Sequence, residues 1–218
     1  MGYTIHGRTC DGIRAIISYP MVALILLVAL FAAAPGNASE SSASDQGPDQ
    51  ADFPKVRVIT TEGAFEIRLR PDLAPNTVEN FLSYVDQGFY DNTLFHRVIP
   101  GFMIQGGGFD TDMGQKATDD PVVNESRQTA KNLRGTIAMA RTRNPDSATS
   151  QFFINLTDNP HLDASASRPG YTVFGSVIDG MGVVDAIAGV DTTRVRGMAD
   201  VPRKPVIIEE IRRVEAGQ

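Results

Sequence analysis

Cysteine, histidine and tryptophan are scarce in this chain of 218 residues, and their scarcity excludes several kinds of site. There is one cysteine, Cys10, there are three histidines, and there is no tryptophan. A disulfide needs two cysteines, and a structural zinc site needs about four Cys or His ligands. No Gly-x-Ser-x-Gly motif marks a nucleophilic serine. The sequence therefore predicts no metal site, no catalytic thiol and no bound cofactor.

Features that bind anions are also lacking. The chain carries 20 basic and 26 acidic residues, a net charge of −6, with the basic residues dispersed along the sequence. Such a surface repels nucleic acid and anionic membranes. Gly106-Gly107-Gly108 is not followed by the Gly-Lys-Ser/Thr of a phosphate-binding loop. We therefore expect no nucleic-acid partner, and we interpret the three glycines as a flexible strand end.

An apolar run long enough for a membrane-spanning helix is missing as well. Residues 21–34 are fourteen consecutive apolar residues, preceded by Arg8 and Arg14, whereas a spanning helix needs about 20. Gly36 and Ala38 occupy the −3 and −1 positions of a cut after Ala38, the layout of a secretory signal peptide. We expect residues 1–38 to be a cleaved signal. An uncleaved anchor is the alternative, because apolar residues continue upstream of the run. A start at Met21 is a third possibility, although it would leave the run without its positive flank.

After the signal, the sequence divides into a polar segment and one domain. Residues 39–54 are polar and acidic, which predicts a flexible tether. Apolar spacing of i, i+3, i+4 and i+7 predicts a helix from Pro75 that stops before Gly88, and a second helix is predicted at Met181–Ala188. Many short strands separated by Gly and Pro indicate a β-barrel or sandwich. We predict strands at Lys55–Thr60, Ala64–Leu69, Phe102–Gln105, Thr136–Ala140, Gln151–Leu156, Tyr171–Ile178 and Val206–Val214.

Three motifs carry the most specific information. Residues 95–108 read Phe-His-Arg-Val-Ile-Pro-Gly-Phe-Met-Ile-Gln-Gly-Gly-Gly, residues 135–140 read Gly-Thr-Ile-Ala-Met-Ala, and residues 150–156 read Ser-Gln-Phe-Phe-Ile-Asn-Leu. In this order they resemble the cyclophilin-type peptidyl-prolyl isomerases, over residues 55–216. The resemblance implies a mainly β fold: an eight-stranded antiparallel closed β-barrel capped by two α-helices. It also implies rotation about X-Pro bonds, which breaks no covalent bond and needs none of the missing groups.

The resemblance assigns roles to eleven residues. Arg97 would donate a hydrogen bond that weakens amide resonance, with Gln105 and Phe102 completing the catalytic group. The other eight would bind substrate: Met103, Ala140, Arg141, Gln151, Phe153, His161, Leu162 and Tyr171. Compared with eukaryotic members, His161 replaces a tryptophan, Tyr171 a histidine and Arg141 an asparagine. We interpret His96 as structural.

The residues alone support part of this assignment. Met103 and Gln105 alternate along one strand and share a face. Arg97 would share it only if the strand were unbroken, and Pro100-Gly101 is expected to bend the chain between them.

The leading hypothesis is a periplasmic, monomeric isomerase whose partners are proline-containing polypeptides. An enzyme anchored in the inner membrane and facing the periplasm is the alternative location. A non-catalytic, proline-binding chaperone module using the same groove is the rival function. A barrel that carries a small apolar ligand is a third class, which large inward aromatics such as Phe65, Phe81, Phe95 and Phe152 disfavour because they would fill the interior.

Signal cleavage can be measured directly. The small residues at Gly36 and Ala38 predict a mature chain that begins at Ser39, with 18 basic and 25 acidic residues and a net charge of −7. Intact-mass measurement of the exported protein should show this start. Full-length protein in the membrane fraction would favour the anchor instead.

Overall fold

The computed structural model describes residues 53–215, together with Gly2. The predicted signal peptide and almost all of the predicted tether lie outside these residues. Phe53 and Pro54, the last two residues of the predicted tether, contact the domain. Phe53 is buried, and the carbonyl of Pro54 accepts a hydrogen bond from Leu69 N at 2.8 Å. Within the described residues, no helix is both long and apolar enough to cross a membrane.

Eleven strands and two α-helices lie within residues 53–215. In chain order they are β1 (Lys55–Thr60), β2 (Gly63–Leu69), α1 (Pro75–Asp86), β3 (Thr93–Leu94), β4 (Arg97–Ile99), β5 (Met103–Gly106), β6 (Thr136–Met139), β7 (Phe152–Asn155), β8 (Val173–Asp179), α2 (Met181–Ala188), β9 (Thr192–Val195), β10 (Met198–Pro202) and β11 (Ile207–Val214). Nine strands form one antiparallel sheet in the order β3-β11-β1-β2-β8-β6-β7-β5-β4, and β9 pairs with β10 in a separate hairpin.

The predicted fold class, mainly β with two helices, is confirmed, and β1 and α2 have the predicted bounds. The sheet differs in detail, since it has nine strands and is a strongly curled half-barrel. Its edge strands β3 and β4 are consecutive in the chain. Leu94 in β3 donates to Phe109 O at 2.9 Å, just beyond β5. This hydrogen bond therefore joins the two sides of the curled sheet at a point beyond the paired strands.

Side chains on the inner face of the curled sheet fill its interior. Phe81 of α1 packs against Tyr90, Phe152 and Phe174, with ring centroids 5.2 to 5.7 Å apart. All four rings are fully buried. Burying each such ring removes a large apolar area from water and contributes about 1.5–3 kcal/mol. A filled interior disfavours the hypothesis of a barrel that carries a small ligand.

A distant carboxylate caps the start of α1. Ala74, at the N-cap position, has no side chain that could accept a hydrogen bond from the first turn. Glu125 supplies the acceptors instead. Its Oε1 accepts from Asn76 N at 3.2 Å, and its Oε2 accepts from Thr77 N at 2.8 Å and Thr77 Oγ1 at 2.7 Å. The carboxylate also lies at the positive end of the helix dipole. One side chain therefore fixes the helix to the long segment between β5 and β6.

Replacing this cap should destabilise the fold. Glu125→Ala leaves the Asn76 and Thr77 donors without their partner, which should lower the free energy of unfolding by about 1–2 kcal/mol. Urea denaturation measures the change, and Glu209→Ala, an exposed glutamate on β11, is the matched control. Equal effects of the two substitutions would contradict the capping role.

Candidate active site

The register of four neighbouring strands places two of the predicted catalytic residues, Arg97 and Gln105, in one row. Arg97 in β4 lies opposite Gln105 in β5, and Gln105 lies opposite Phe153 in β7. Phe153 in turn lies opposite Ala138 in β6. Directly opposed residues in antiparallel strands share a face. The bend at Pro100-Gly101 is thus the turn of a hairpin, and it places Arg97 beside Gln105 across two strands rather than along one.

This row borders a pocket of about 230 Å³. Nine of the eleven predicted residues line it: Arg97, Phe102, Met103, Gln105, Ala140, Arg141, Phe153, Leu162 and Tyr171. Its floor is apolar, since Met103 and Phe153 are 2% and 4% exposed. The ring of Phe153 meets the ring of Tyr171 edge-on at 5.6 Å. The pocket is therefore a small slot with an apolar floor and polar groups at its rim.

Gln151 and His161, the other two predicted residues, lie beside the pocket without lining it. Gln105 Nε2 donates to Gln151 Oε1 at 2.9 Å, so Gln151 fixes the amide of Gln105. His161 is exposed and stacks on Phe102, with centroids 5.5 Å apart and planes at 27°. Each residue thus acts on the pocket through a lining residue.

The three glycines 106–108 lie at a strand end, as interpreted, but close packing rather than flexibility accounts for them. All three are buried, and Gly106 is the last residue of β5. A Cβ on Gly108 would lie 2.4 Å from Cγ of Gln151, and a Cβ on Gly106 would lie 2.9 Å from Leu94 O. Real Cβ atoms do not approach so closely. Gly108 therefore makes room for the amide that holds Gln105.

The sequence reasoning missed a pair of buried asparagines behind the pocket. Asn159 Nδ2 donates to Phe102 O at 3.0 Å and to Asn155 Oδ1 at 2.8 Å. Both asparagines are 3% exposed or less. Buried amides of this kind need partners, and here the partner is the backbone of a pocket residue. The one available signal was a polar residue, Asn155, inside the apolar run Phe-Phe-Ile-Asn-Leu.

Arg97 reaches the rim with its donors largely free. Its side chain is 44% exposed, and within residues 53–215 its guanidinium makes no hydrogen bond to the protein. Asp200 is its one carboxylate neighbour in that range, with Nε and Oδ2 3.8 Å apart. Asp200 lies where the register of β9 and β10 shifts, and its φ of +63° is in the left-handed region. Exposed pairs of this length contribute little, so the guanidinium stays available to a ligand.

His96 lies outside this pocket and is buried at 5% exposure. Its ring packs against Phe109 at 4.6 Å, and its Nδ1 has no hydrogen-bond partner within residues 53–215. Burial lowers the pKa of His96 to about 4, and the positive charge of Arg97 adds to that effect. The residue is therefore neutral at physiological pH. No group of three or more His, Cys, Asp or Glu side chains that could hold a metal occurs in the part of the chain that the structure describes.

Sequence comparison identifies the family. The profile of the cyclophilin type peptidyl-prolyl cis-trans isomerase/CLD family matches residues 55–213. Peptidyl-prolyl cis-trans isomerase B of Escherichia coli is 55% identical over 159 residues, which cover 72% of this chain and 97% of that protein. Peptidyl-prolyl cis-trans isomerase A of Dickeya dadantii is 54% identical over 154 residues, 71% of this chain and 81% of that protein.

Solved structures agree. A cyclophilin type peptidyl-prolyl cis-trans isomerase of Cryptosporidium parvum superposes with a TM-score of 0.63 at 28% identity, over 75% of this chain and 98% of that one. The same protein in the presence of the dipeptide Ala-Pro gives the same TM-score, over 74% and 99% of the two chains. The chain belongs to the cyclophilin-type peptidyl-prolyl cis–trans isomerases. It is an enzyme of that class.

The buried His96 predicts a pH-dependent stability. In the unfolded chain an imidazole takes up a proton below pH about 6.5, whereas in the folded chain His96 does so only near pH 4. Stability contributed by neutral His96 should therefore be lost as the pH falls from about 6.5 to about 4, by at most about 1.4 kcal/mol per pH unit. Between pH about 4 and about 6.5, the free energy of unfolding, measured by urea denaturation, should depend less steeply on pH in His96→Gln than in the wild type. An NMR titration that gives the wild-type His96 ring a pKa above 6 would contradict the assignment.

Proposed function

We propose that this isomerase acts on X-Pro bonds of proteins folding in the bacterial cell envelope, and that Arg97 is its catalytic hydrogen-bond donor. The observation that carries the proposal is the position of a guanidinium with free donors at the rim of a small pocket with an apolar floor. Amide resonance opposes rotation by about 18–20 kcal/mol. A donor near the prolyl nitrogen stabilises the pyramidal form in which that resonance is lost. Arginine is always protonated, so the donor is present at every relevant pH.

The pocket would supply orientation. Met103, Phe153 and Leu162 are all less than 9% exposed and would grip the proline ring while the acyl side turns. The ring would face a low-dielectric floor, where one charged donor acts more strongly than in water. A ten-thousandfold acceleration requires about 5.4 kcal/mol of differential stabilisation. A charge-assisted hydrogen bond, worth about 1.5–3 kcal/mol, would supply part of that amount.

A side-chain amide and a backbone carbonyl would hold the peptide on either side of the proline. The amide of Gln105 is fixed by Gln151 and faces the pocket. Ala140 N is already bonded to Gln151 O at 3.0 Å. The carbonyl oxygen of Ala140 accepts no hydrogen bond within the described residues. It would accept one from a peptide N–H. These contacts recognise any polypeptide backbone, as expected for an enzyme with many clients.

The choice of client rests on two further observations. The Cryptosporidium parvum relative was solved in the presence of Ala-Pro, which supports proline-containing peptides as ligands here. The apolar run and small residues before Ser39 support export to the periplasm, with an inner-membrane anchor as the alternative.

We propose a monomer. The non-catalytic chaperone module is not favoured, because Arg97, Gln105 and Phe102 are all present around one pocket.

Substitution of the proposed donor tests the mechanism. Arg97→Ala should lower kcat/KM for a short X-Pro peptide at least about a hundredfold, corresponding to ~2.7 kcal/mol of lost transition-state stabilisation. Arg97→Lys should recover little, because an ammonium lacks the planar fork of donors. Both variants should unfold at the wild-type temperature. A protease-coupled isomerase assay measures the rates.

Arg57→Ala is the matched control for this experiment. Arg57 is another exposed strand arginine with one carboxylate neighbour, Glu66 at 3.2 Å, and it does not line the pocket. It should leave kcat/KM unchanged. Activity of Arg97→Ala within threefold of wild type would remove Arg97 from the mechanism.

A further inference from the structure

We propose that a basic depression beside the proline pocket selects client peptides that carry a carboxylate side chain within two residues of the proline. The inference rests on the proposed function and adds a substrate preference to it. We call the surface formed by Arg141, Arg143 and Arg168 the arginine depression. It has a volume of about 520 Å³. The cluster is not apparent in the sequence, because the fold brings Arg168 to two arginines that precede it by more than twenty residues.

The arginine depression adjoins the proline pocket. Arg141 and Tyr171 line both cavities. Each residue of an extended peptide advances about 3.3–3.6 Å. Because the two cavities share Arg141 and Tyr171, we infer that a peptide whose proline occupies the pocket would present a side chain within two residues of that proline to the arginines.

The positive charge of this surface is not neutralised by the protein. None of the three arginines has a carboxylate oxygen within 4.0 Å among the described residues. Two nearby acids have other partners. Asp146 Oδ1 accepts from Asn124 N at 2.7 Å, and Asp163 accepts from Asn132 N at 2.8 Å and lies 3.5 Å from Lys131 Nζ. A local concentration of positive charge thus exists on a chain of net charge −6.

Two of the arginines are held in place by uncharged groups. Arg141 lies 4.4 Å over the ring of Tyr171, and it donates from Nε to Gly170 O at 3.3 Å and from Nη1 to Thr142 O at 2.9 Å. Arg168 Nη2 donates to His161 O at 2.9 Å. Carbonyl groups and a ring fix the side chains without cancelling their charge. A ligand therefore meets cations that are already ordered, which lowers the entropic cost of binding.

A carboxylate is the complementary ligand group. A guanidinium offers parallel N–H donors that match the two oxygens of Asp or Glu, whereas Gln has the same shape without the charge. Arg143 is exposed and makes no side-chain hydrogen bond within the described residues, so its donors are free. It is the arginine most readily engaged by a peptide side chain.

The test uses the full protein and a set of blocked peptides built on Ala-Ala-Pro-Phe. Glu, Gln or Lys replaces one residue before or after the proline, and exchange is measured by NMR without a coupling protease. At low salt, Glu at one of these positions should raise kcat/KM on the order of threefold to tenfold over Gln, and Lys should lower it. The difference should shrink at high salt, because the charges are exposed.

Arg143→Gln separates this inference from the mechanism. It should abolish at least half of the preference for Glu while the unsubstituted Ala-Ala-Pro-Phe peptide keeps its rate. Arg143→Glu should favour the Lys peptide, and Arg203→Gln, an exposed arginine elsewhere, should change neither. Equal rates for Glu and Gln peptides, together with normal turnover of the reference, would overturn the acidic preference alone. Loss of turnover for every peptide would instead contradict the proposed function. In that case the Kd values of the Glu and Gln peptides, measured by NMR titration, would still decide the acidic preference.

Discussion

The alternation of side chains across β4, β5, β7 and β6 is the constraint on which the rest of this molecule depends. Val98, Ile104 and Ile154 lie in one row and point into the core, while the next row, Arg97, Gln105 and Phe153, points out of it. The same four strands therefore build the hydrophobic interior and the catalytic groove. Side chains alternate between the two faces of a strand. A shift of one residue in register would therefore turn the core residues outward and the pocket residues inward.

Much of this arrangement could be predicted from sequence, for identifiable reasons. Helices α1 and α2 carry long apolar periods with clear stops, and β1 and β2 alternate around a Glu-Gly turn, so their patterns are local. The pocket residues were predicted from the resemblance, since six of the nine lie in three motifs of unusual specificity, and Arg141, Leu162 and Tyr171 lie outside those motifs. Strands β3, β4, β9 and β10 were missed because they have two to five residues and no complete period.

What sequence could not supply was the set of contacts made across the chain. Glu125 caps a helix that begins 50 residues earlier, and Asn159 bonds a carbonyl 57 residues away. The three glycines gave a misleading local signal, since glycine marks both flexible turns and close approach. At Gly108 the reason is the neighbouring side chain of Gln151, which no spacing rule reveals. The propensity of a local segment does not reveal a steric or hydrogen-bonding requirement that another segment imposes.

The turn between β4 and β5 makes the enzyme intolerant of small insertions and deletions. Arg97 and Gln105 are held opposite each other by only seven intervening residues. Removal of one residue from that turn would shift one strand by half its repeat, so that the arginine and the amide would face opposite sides of the sheet. A charged side chain would then be directed into an aromatic interior that offers it no counter-ion. Length variation among descendants of this gene should therefore accumulate in the long segment between β5 and β6, and the hairpin should keep a fixed length.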